Sequence, residues 1–477
     1  MRLSSPTLHC VRGAALPAYD RSATTIGVVH IGPGAFFRAH QASYIDALLH
    51  QAPHWAICAV ALKSTGVRDA LAPQDGLYVL NELSAESHVR VIGAIRELLV
   101  ASEDYARVFA RLAAPETRVV TMTVTEKGYC LNGAGALDES HPDIVHDLHS
   151  PSTPRSVIGL LARALQLRMQ ANVPPFVAIS CDNLANNGRA LRAATIAFAR
   201  RIDTGLAEWI AASVRFPRTM VDSITPATDD ALRARVASIT GVEDAWPVQR
   251  EDFAQWVIEE LPGADLGALR QVGVTLTHDV SLFERAKLRL LNGAHSTLAY
   301  AGLLRGHETV GDAMQDARLV RFVESMMRED IAATLGETPG LDVDRYIDAI
   351  LDRFRNPGIR HLLSQIAWDG SKKLPVRLLG TIADARTAGR PIERLALPIA
   401  AWMRFIARQS KAAVPIVDPE AAHLTDLGRR CTGDPAHDVV LFLALETVFP
   451  TALASDIAFR RAVESAYRKL QLPHEAL

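Results

Sequence analysis

The sequence predicts an α/β domain built on a doubly wound parallel sheet, followed by an all-α domain. Three observations carry this prediction. Short apolar segments alternate with helix-like segments up to about residue 280, two glycines closely follow the first apolar segment, and beyond that point apolar residues recur only at helical spacing. With 477 residues the chain exceeds one ordinary hydrophobic core. We therefore predict an α/β domain over 1–280 and a helical domain over 281–477.

Five segments are expected to form the strands of the sheet. Their hydrophobicity is continuous rather than alternating, which is typical of strands covered on both faces. The segments are rich in Val, Ile or Thr and span 26–32, 55–62, 118–125, 175–181 and 219–224. Helix-like stretches such as 39–50 and 154–170 separate them. Repeated strand–helix–strand order indicates parallel strands joined by right-handed crossovers.

The composition excludes several classes of protein. Hydrophobic residues make up 49% and charged residues 22%, and the formal net charge is −2, so nothing indicates a nucleic acid or an anionic membrane as partner. The five cysteines are scattered, which argues against a disulfide framework or a Cys-based zinc site. No apolar stretch has the length of a signal peptide core or of a membrane span. We expect a cytoplasmic protein without a metal.

The glycine loop in "IGVVHIGPGAFFRAH" (26–40) is the first candidate site. Gly32 and Gly34 would let a pyrophosphate approach the backbone at a helix start, while Phe36 or Phe37 replaces the third glycine of a dinucleotide fingerprint. From the residues alone, a cofactor loop and an ordinary tight turn are both open. The second strand ends without the acidic residue of an NAD enzyme, and Lys63 is either a partner for a 2′-phosphate or part of a solvated helix start.

Polar residues follow three of the predicted strands. Glu126 follows the third apolar segment, Asn183 the fourth and Asp222 the fifth. Each alone is compatible with an ordinary loop cap. Because the carboxyl ends of parallel strands meet at one edge of a sheet, three such residues in succession indicate a polar pocket there.

The segment "FERAKLRLLNGAHS" carries the most chemistry. On a helix, Glu284 shares a face with Lys287, and Asn292 shares a face with His295. Burial of Lys287 would lower its pKa and suit it as a general base, with Asn292 and His295 donating to a reacting oxygen. The alternative is a surface helix with a Glu–Lys pair and a core histidine. On an unbroken helix Lys287 and His295 lie about 12 Å apart along the axis, so catalysis requires a long side chain, an extended substrate or a bend.

Seven segments occur together in an order that resembles one known family. The segments are "HIGPGAFFRAHQASY", "TVTEKGYC", "SCDNLANNG", "MVDSITPAT", "WVIEE", "KLRLLNGAHS" and "DGSKKLP". The chain resembles the long-chain polyol-specific dehydrogenases, which include mannitol 2-dehydrogenases and fructuronate reductases (mannonate oxidoreductases). The resemblance implies an N-terminal Rossmann-type domain, a helical substrate domain, and metal-independent hydride transfer between a nicotinamide cofactor and an open-chain sugar derivative.

The resemblance also implies roles for individual residues. Lys287 matches the catalytic base, Asn292 and His295 match groups that polarise the reacting oxygen, and Glu284 matches a carboxylate that helps a proton reach bulk water. Asn183, Asp222 and Lys373 match substrate-binding positions, to which Arg360 and His361 are added by resemblance to fructuronate reductases. The expected cofactor-side residues are Gly32, Gly34, Phe36, Arg38, Lys63 and Glu126, with Arg38 either placing a phosphate or structuring the loop.

The first substrate prediction is the D-fructuronate/D-mannonate pair, because Arg360, Lys373 and nearby cations suit a carboxylate. The alternatives are D-mannitol with D-fructose, another polyol such as D-arabinitol and, outside this class, an idle nucleotide-binding sensor. We expect NAD as cofactor, with NADP not excluded. The expected partners are small molecules alone, and the protein is either a monomer or a small homo-oligomer.

Overall fold

The computed structural model describes residues 1–84 and 88–471. Within these residues the chain divides into two compact units, Met1–Val280 and Ser281–Leu477, whose last six residues lie outside the described part. The first unit contains strands and helices, whereas the second is helical.

Eleven strands occur among the described residues of the first unit. They are β1 (Ile26–Ile31), β2 (Ala56–Ala61), β3 (Tyr78–Leu83), β4 (His88–Ile92), β5 (Ile95–Val100), β6 (Val119–Met122), β7 (Val177–Ser180), β8 (Thr219–Asp222), β9 (Val248–Glu251), β10 (Gln255–Glu259) and β11 (Thr275–Thr277). Its helices are α1 (Ala35–Ala39), α2 (Gln41–Leu48), α3 (Gly66–Leu71), α4 (Tyr105–Ala113), α5 (Pro142–His149), α6 (Val157–Gln170), α7 (Asn187–Ile202), α8 (Thr204–Ser213) and α9 (Asp230–Thr240).

The main sheet has five parallel strands in the order β5–β2–β1–β6–β7. The chain moves from β1 to β2 on one side and to β6 on the other, so the topological switch point lies between β1 and β6. In open α/β sheets, ligands bind outside the carboxyl ends of the strands at this point.

Both faces of this sheet are buried, which explains the continuous hydrophobicity of its strands. One face of β1 places Val29 and Ile31 in a core with α4, α6, α7 and α8. The other places Val28 in a core with α2. The predicted doubly wound parallel sheet and the helical second unit are confirmed.

The fifth predicted strand differs from expectation. β8 leaves the main sheet and pairs antiparallel with β10, which in turn pairs parallel with β11. Pro217, just before β8, has no N–H to give to a ladder. The side chain of Asn187 instead makes the hydrogen bonds that a neighbouring strand would make, because its amide donates to the Thr219 carbonyl and accepts from the Thr219 N–H.

The fifth strand of the main sheet is instead β5, which the sequence pattern does not reveal. Arg96 and Glu97 interrupt its apolar run, and Glu97 is bound by Arg107 and Arg111 of α4. A third sheet, in the order β4–β3–β9, completes the strands of this unit. Across the described residues, the structure contains no helix that is both long and apolar enough to span a membrane.

The second unit is helical, and the helix that leads into it starts at Val280, the last residue of the first unit. The helices are α10 (Val280–Ala286), α11 (Asn292–Leu304), α12 (Val310–Ala313), α13 (Ala317–Ser325), α14 (Val343–Arg355), α15 (Leu363–Ile366), α16 (Gly370–Leu374), α17 (Gly380–Thr387), α18 (Glu393–Lys411), α19 (Ala421–Arg430), α20 (Pro435–Leu443), α21 (Thr451–Ala454) and α22 (Ile457–Lys469). Helix α11 is buried from Gly293 to Gly302 and packs against α18 at the centre of the unit.

Three stretches among the described residues of this unit are wound as π-helix. They span Lys287–Leu291, Met326–Ile331 and Pro375–Leu379. The first continues α10 into α11 and the third continues α16 into α17, so each inserts a wider turn without ending the helix. Such turns are rare and occur frequently at functional sites.

Candidate functional site

The two glycines after β1 differ in what the protein itself requires of them. Gly32 has φ +90°, and a Cβ there would lie 2.2 Å from the carbonyl oxygen of Thr123 at the end of β6. Gly34 has φ −69°, and its nearest neighbour would be 4.0 Å away. The fold therefore demands glycine at 32 only. The open space beside Gly34, at the switch point, fits the approach of a dinucleotide pyrophosphate.

The missing third glycine has a packing explanation. Phe37 is 1% exposed and stacks face to face on His30 in β1, with ring centroids 3.4 Å apart. His30 is fully buried and its Nδ1 and Nε2 lie 2.8 and 3.2 Å from Thr121 Oγ1 and the Gly32 carbonyl. A glycine normally lets the helix approach the strand closely. Here an aromatic ring fills that space instead. Phe36 is half-buried and stacks on His40.

Arg38 lies inside the protein. Its guanidinium is 5.6 Å from the centre of the Tyr78 ring and 5.4 Å from that of Trp246, and it donates to the Trp246 carbonyl. Burial lowers its pKa to about 10. This placement supports the loop-structuring alternative for Arg38 and puts its charge against aromatic rings rather than at a phosphate.

Lys63 is exposed in the turn after β2, with its Nζ 3.8 Å from Asp143. The nearby Arg68 is bound by Asp69 and Glu103. Of these two cations, Lys63 is held less tightly by carboxylates. It lies next to the end of β2, the position where the adenosine ribose of a dinucleotide is recognised.

Glu126, Asn183 and Asp222 lie at or just beyond the carboxyl ends of β6, β7 and β8, and only β6 and β7 belong to the main sheet. Glu126 is exposed and begins a 3₁₀ turn, Glu126–Tyr129, after β6. Asn183 is exposed in the turn after β7. Asp222 is the last residue of β8 and is 6% exposed. Since β8 belongs to another sheet, Asp222 is not part of the parallel ladder; the Asn187 amide ties the start of β8, at Thr219, to the Asp182 carbonyl after β7.

The π-turn decides the arrangement of the catalytic candidates. The N–H of Asn292 donates to the carbonyl oxygen of Lys287, a spacing of five residues. Residues five apart lie about 140° apart around an α-helix, but only about 50° apart in the wider π-turn. Lys287 and Asn292 therefore share a side of the helix, and His295 follows Asn292 at i+3 on α11. Glu284 lies one α-helical turn before Lys287, and both are half-buried.

His295 lies in an apolar and cationic environment. Its ring centre is 4.6 Å from that of Phe354 on α14 and 5.3 Å from that of His361. Burial lowers its pKa well below the usual range, and the charges of His361, Arg353 and Arg377 act in the same direction. A neutral imidazole can donate one hydrogen bond to a substrate oxygen and accept another from a hydroxyl.

Lys373 is held by an unusually tight start of α16. A Cβ on Gly370 would lie 2.5 Å from the Tyr300 hydroxyl, and the Ser371 N–H donates to Asp418 at 2.9 Å. One turn later, Lys373 Nζ lies 3.3 Å from the Ile366 carbonyl. Burial, followed by the charge of Arg377, lowers the pKa of Lys373. Burial lowers the pKa of His361, and the positive charge of Lys373 lowers it further. The two side chains therefore lie close together.

Arg360 is placed differently from Lys373 and His361. Its side chain is 71% exposed and pairs with Glu308 at 2.6 Å. The structure does not bring it into the group around His295.

The positive charges of Arg353 and Arg377 act on His295, and Arg353 is absent from the residues predicted from sequence. It is 8% exposed on α14. Its position next to Ile350 and Phe354 puts a charge on the apolar face of this helix, which is the one local signal that could have found it. Arg377 donates to the Ser296 hydroxyl at 3.1 Å.

Comparison with known proteins decides the family. The family model described as the mannitol dehydrogenase Rossmann domain matches residues 26–266, and the model of the mannitol dehydrogenase C-terminal domain matches residues 279–471. The chain belongs to the mannitol dehydrogenase family. A mannitol 2-dehydrogenase of Phaeosphaeria nodorum is 39% identical over 435 residues, covering 89% of this chain and 77% of the relative.

Two solved structures share the family fold over almost the whole chain. The mannitol 2-dehydrogenase of Pseudomonas fluorescens, in a ternary complex with NAD and D-mannitol, is 39% identical with a TM-score of 0.79 and covers 99% of this chain and 97% of its own. A D-sorbitol dehydrogenase in substrate-free form is 31% identical with a TM-score of 0.93 and covers 100% and 99%. Membership of the mannitol dehydrogenase family thus rests on both domains.

Proposed function

We propose that this chain is an NAD-dependent secondary-alcohol dehydrogenase that interconverts a linear hexitol and its 2-ketose, with D-mannitol and D-fructose as the leading pair. The observation that carries the proposal is the π-turn, which places Lys287, Asn292 and His295 on one side of the α10–α11 helix. The relatives named mannitol 2-dehydrogenase favour this pair over D-fructuronate/D-mannonate, which the sequence motifs ranked first.

The residues of the first unit fit the cofactor. Gly32 and the uncrowded Gly34 would hold the pyrophosphate, Lys63 would lie on the adenosine side, and Glu126 would lie at the end of β6. When bound, NAD supplies the hydride acceptor of the reaction. Because Lys63 is exposed, NADP stays open as a weaker alternative.

We assign the chemistry of the proton to the second unit. Lys287 Nζ takes the proton of the substrate hydroxyl as the carbon–hydrogen bond breaks, and returns it to the oxygen in the reducing direction. Asn292 and the neutral His295 donate hydrogen bonds to that oxygen as charge develops on it. Glu284, one turn from Lys287, passes the proton towards solvent. In the second unit, His361 and Lys373 bind the remaining hydroxyl groups of the chain-like substrate, and the substrate role of Asn183 and Asp222 in the first unit rests on the family resemblance alone.

A second candidate substrate class is supported by one observation. Arg353, Arg377 and Lys373 bring three cations around His295 and His361, and cations of this kind recognise carboxylates. A linear sugar acid such as D-mannonate, oxidised to D-fructuronate, is therefore the alternative to a neutral hexitol.

Five free cysteines fit a reducing compartment, and we place the enzyme in the cytoplasm on that ground.

The test is a panel of substrates followed by nicotinamide absorbance. D-Mannitol, D-sorbitol, D-arabinitol and D-mannonate are offered with NAD or NADP, and the ketoses with the reduced cofactors. We expect the highest kcat/KM with D-mannitol and NAD, and a drop of about 10³-fold in kcat for Lys287→Ala with NADH affinity retained. Highest kcat/KM with D-mannonate would favour the second candidate. NADH binding without turnover of any substrate would support an idle sensor.

A further inference from the structure

Thr125, three residues beyond β6, has a backbone conformation that side chains rarely adopt. Its φ is +66° and its ψ is 164°. This region of backbone space is populated almost only by glycine, so a threonine stays there only when its surroundings hold it. Thr125 lies directly before Glu126, at the switch point between β1 and β6 where the cofactor is proposed to bind.

Asp182, at the carboxyl end of the neighbouring strand β7, holds this conformation. Its carboxylate accepts the N–H of Thr125 at 2.8 Å and the N–H of Val124 at 3.1 Å. It also accepts the hydroxyl proton of Tyr129 at 2.6 Å. Tyr129 is fully buried, and its oxygen lies within hydrogen-bond distance of the Ser180 hydroxyl. The carboxylate therefore fixes both ends of the segment from Val124 to Tyr129.

The hydrogen bonds to Asp182 determine where Glu126 lies. If Thr125 relaxed to an ordinary extended φ, the backbone would turn in a different direction after β6, and Glu126 would leave its present position. Asp182 thus converts a strained backbone into a fixed one before any ligand binds, which removes that ordering cost from the binding step.

We propose that Asp182 is a positioning residue for the cofactor: with Tyr129, it holds Thr125 in its strained conformation so that Glu126 and the adjoining backbone are preorganised against the dinucleotide. This inference rests on the proposed binding of NAD at the switch point. It assigns Asp182 no contact with the substrate and no part in proton transfer.

The experiment is a double-substitution cycle on the full chain with NADH fluorescence titration as the readout. Asp182→Asn keeps the shape of the side chain but replaces one acceptor oxygen by an amino group, so it cannot accept all three bonds. We expect the Kd for NADH to rise about tenfold in Asp182→Asn. In the Thr125→Gly background, where the conformation carries no side-chain strain, we expect the same substitution to raise Kd by no more than about threefold.

Three further measurements separate positioning from a general structural effect. Asp138→Asn alters a carboxylate that accepts the Ser140 N–H and hydroxyl in a neighbouring loop, and it should leave Kd unchanged. Tyr129→Phe should also raise the Kd for NADH, but by a smaller factor than Asp182→Asn. Under saturating NAD, kcat of Asp182→Asn should fall less than kcat/KM for NAD.

Equal effects of Asp182→Asn in the two backgrounds, or a lowered Tm with Kd within twofold of the wild type, would overturn the inference. If Asp182→Asn does not fold, Tyr129→Phe and Thr125→Gly with Tyr129→Phe form the same cycle, and additivity there has the same meaning. Absence of NADH binding by the wild type would instead contradict the proposed function, so the two failures are distinguishable.

Discussion

The backbone N–H of Asn292 donates to the carbonyl oxygen of Lys287, five residues earlier in one continuous helical path. An α-helix would pair Asn292 with Leu288 instead. The wider turn accommodates the extra residue and brings the side-chain directions of Lys287 and Asn292 together. The winding changes which way the side chains face, whereas the separation of Lys287 and His295 along the helix axis stays close to that of an α-helix, so a long lysine side chain or an extended substrate is still required.

Asn292→Ala is expected to lower kcat by about 10²-fold with little change in the KM for the polyol, because an oxyanion donor acts mainly on the transition state. Steady-state kinetics with D-mannitol and NAD give both constants. Arg285→Ala, an exposed change on α10 of the same helical path, is the matched control and should behave as the wild type. A tenfold rise in KM at unchanged kcat would show ground-state binding instead.

His295 is expected to stay neutral throughout the pH range of activity, because burial and the neighbouring cations hold its pKa well below the usual value. His295→Gln should therefore lower kcat by about 10²-fold at every pH between 6 and 9 without changing the shape of the pH profile. The measurement is kcat against pH for both proteins. Loss of an ionisation near pH 6.5 in the variant would show that His295 titrates during turnover.

The two glycines of the opening loop should separate folding from cofactor binding. Gly34→Ala adds a methyl group where the protein has room, so Tm should stay within about 2 °C while the Kd for NADH rises by at least about tenfold. Gly32→Ala forces a side chain onto the Thr123 carbonyl at φ +90° and should lower Tm. Thermal melts and NADH titration check both. Unchanged NADH affinity in Gly34→Ala would remove the pyrophosphate from this loop.

His30 should make the stability of the chain fall as the pH falls. Burial lowers its pKa to about 3 in the folded protein, whereas the unfolded chain takes up a proton on this side chain near pH 6.5. Below pH 6.5 the unfolded state therefore binds more protons, and the free energy of unfolding drops by about 2 kcal/mol between pH 7 and pH 5 on account of His30.

Urea unfolding of the full chain at the two pH values tests this, with His30→Gln as the variant. The amide of Gln can still donate to Gly32 and accept from Thr121, so the drop in stability between pH 7 and pH 5 should be smaller in the variant by about 2 kcal/mol, while other buried histidines such as His295 keep their share. His278→Gln is the control, because this histidine is 85% exposed. An equal pH dependence in His30→Gln and the wild type would contradict the prediction.

The strands of the main sheet show how far local pattern reaches. β1, β2, β6 and β7 follow from short apolar runs, since a strand buried on both faces has to be apolar along its whole length. β5 escapes this rule because Arg96 and Glu97 stand in it: Arg96 is exposed, and the charge of Glu97 is paired with Arg107 and Arg111 of α4. The assignment of β8 to another sheet depends on Pro217 and on Asn187, thirty residues earlier.

The sequence by itself determined the two-part organisation of the fold and the glycine loop after the first strand, because these depend on periodicity and on motifs within short segments, and its resemblance to a family predicted the set Lys287, Asn292 and His295. Tertiary structure alone decided the π-turn that aligns this set, the burial of Arg38 against Trp246, the exposure of Arg360 and the approach of Arg353 to His295. The physical reason is that winding, burial and charge depend on contacts between residues far apart in the chain. A local pattern records which side chains are available, and only the packed protein fixes what each one meets.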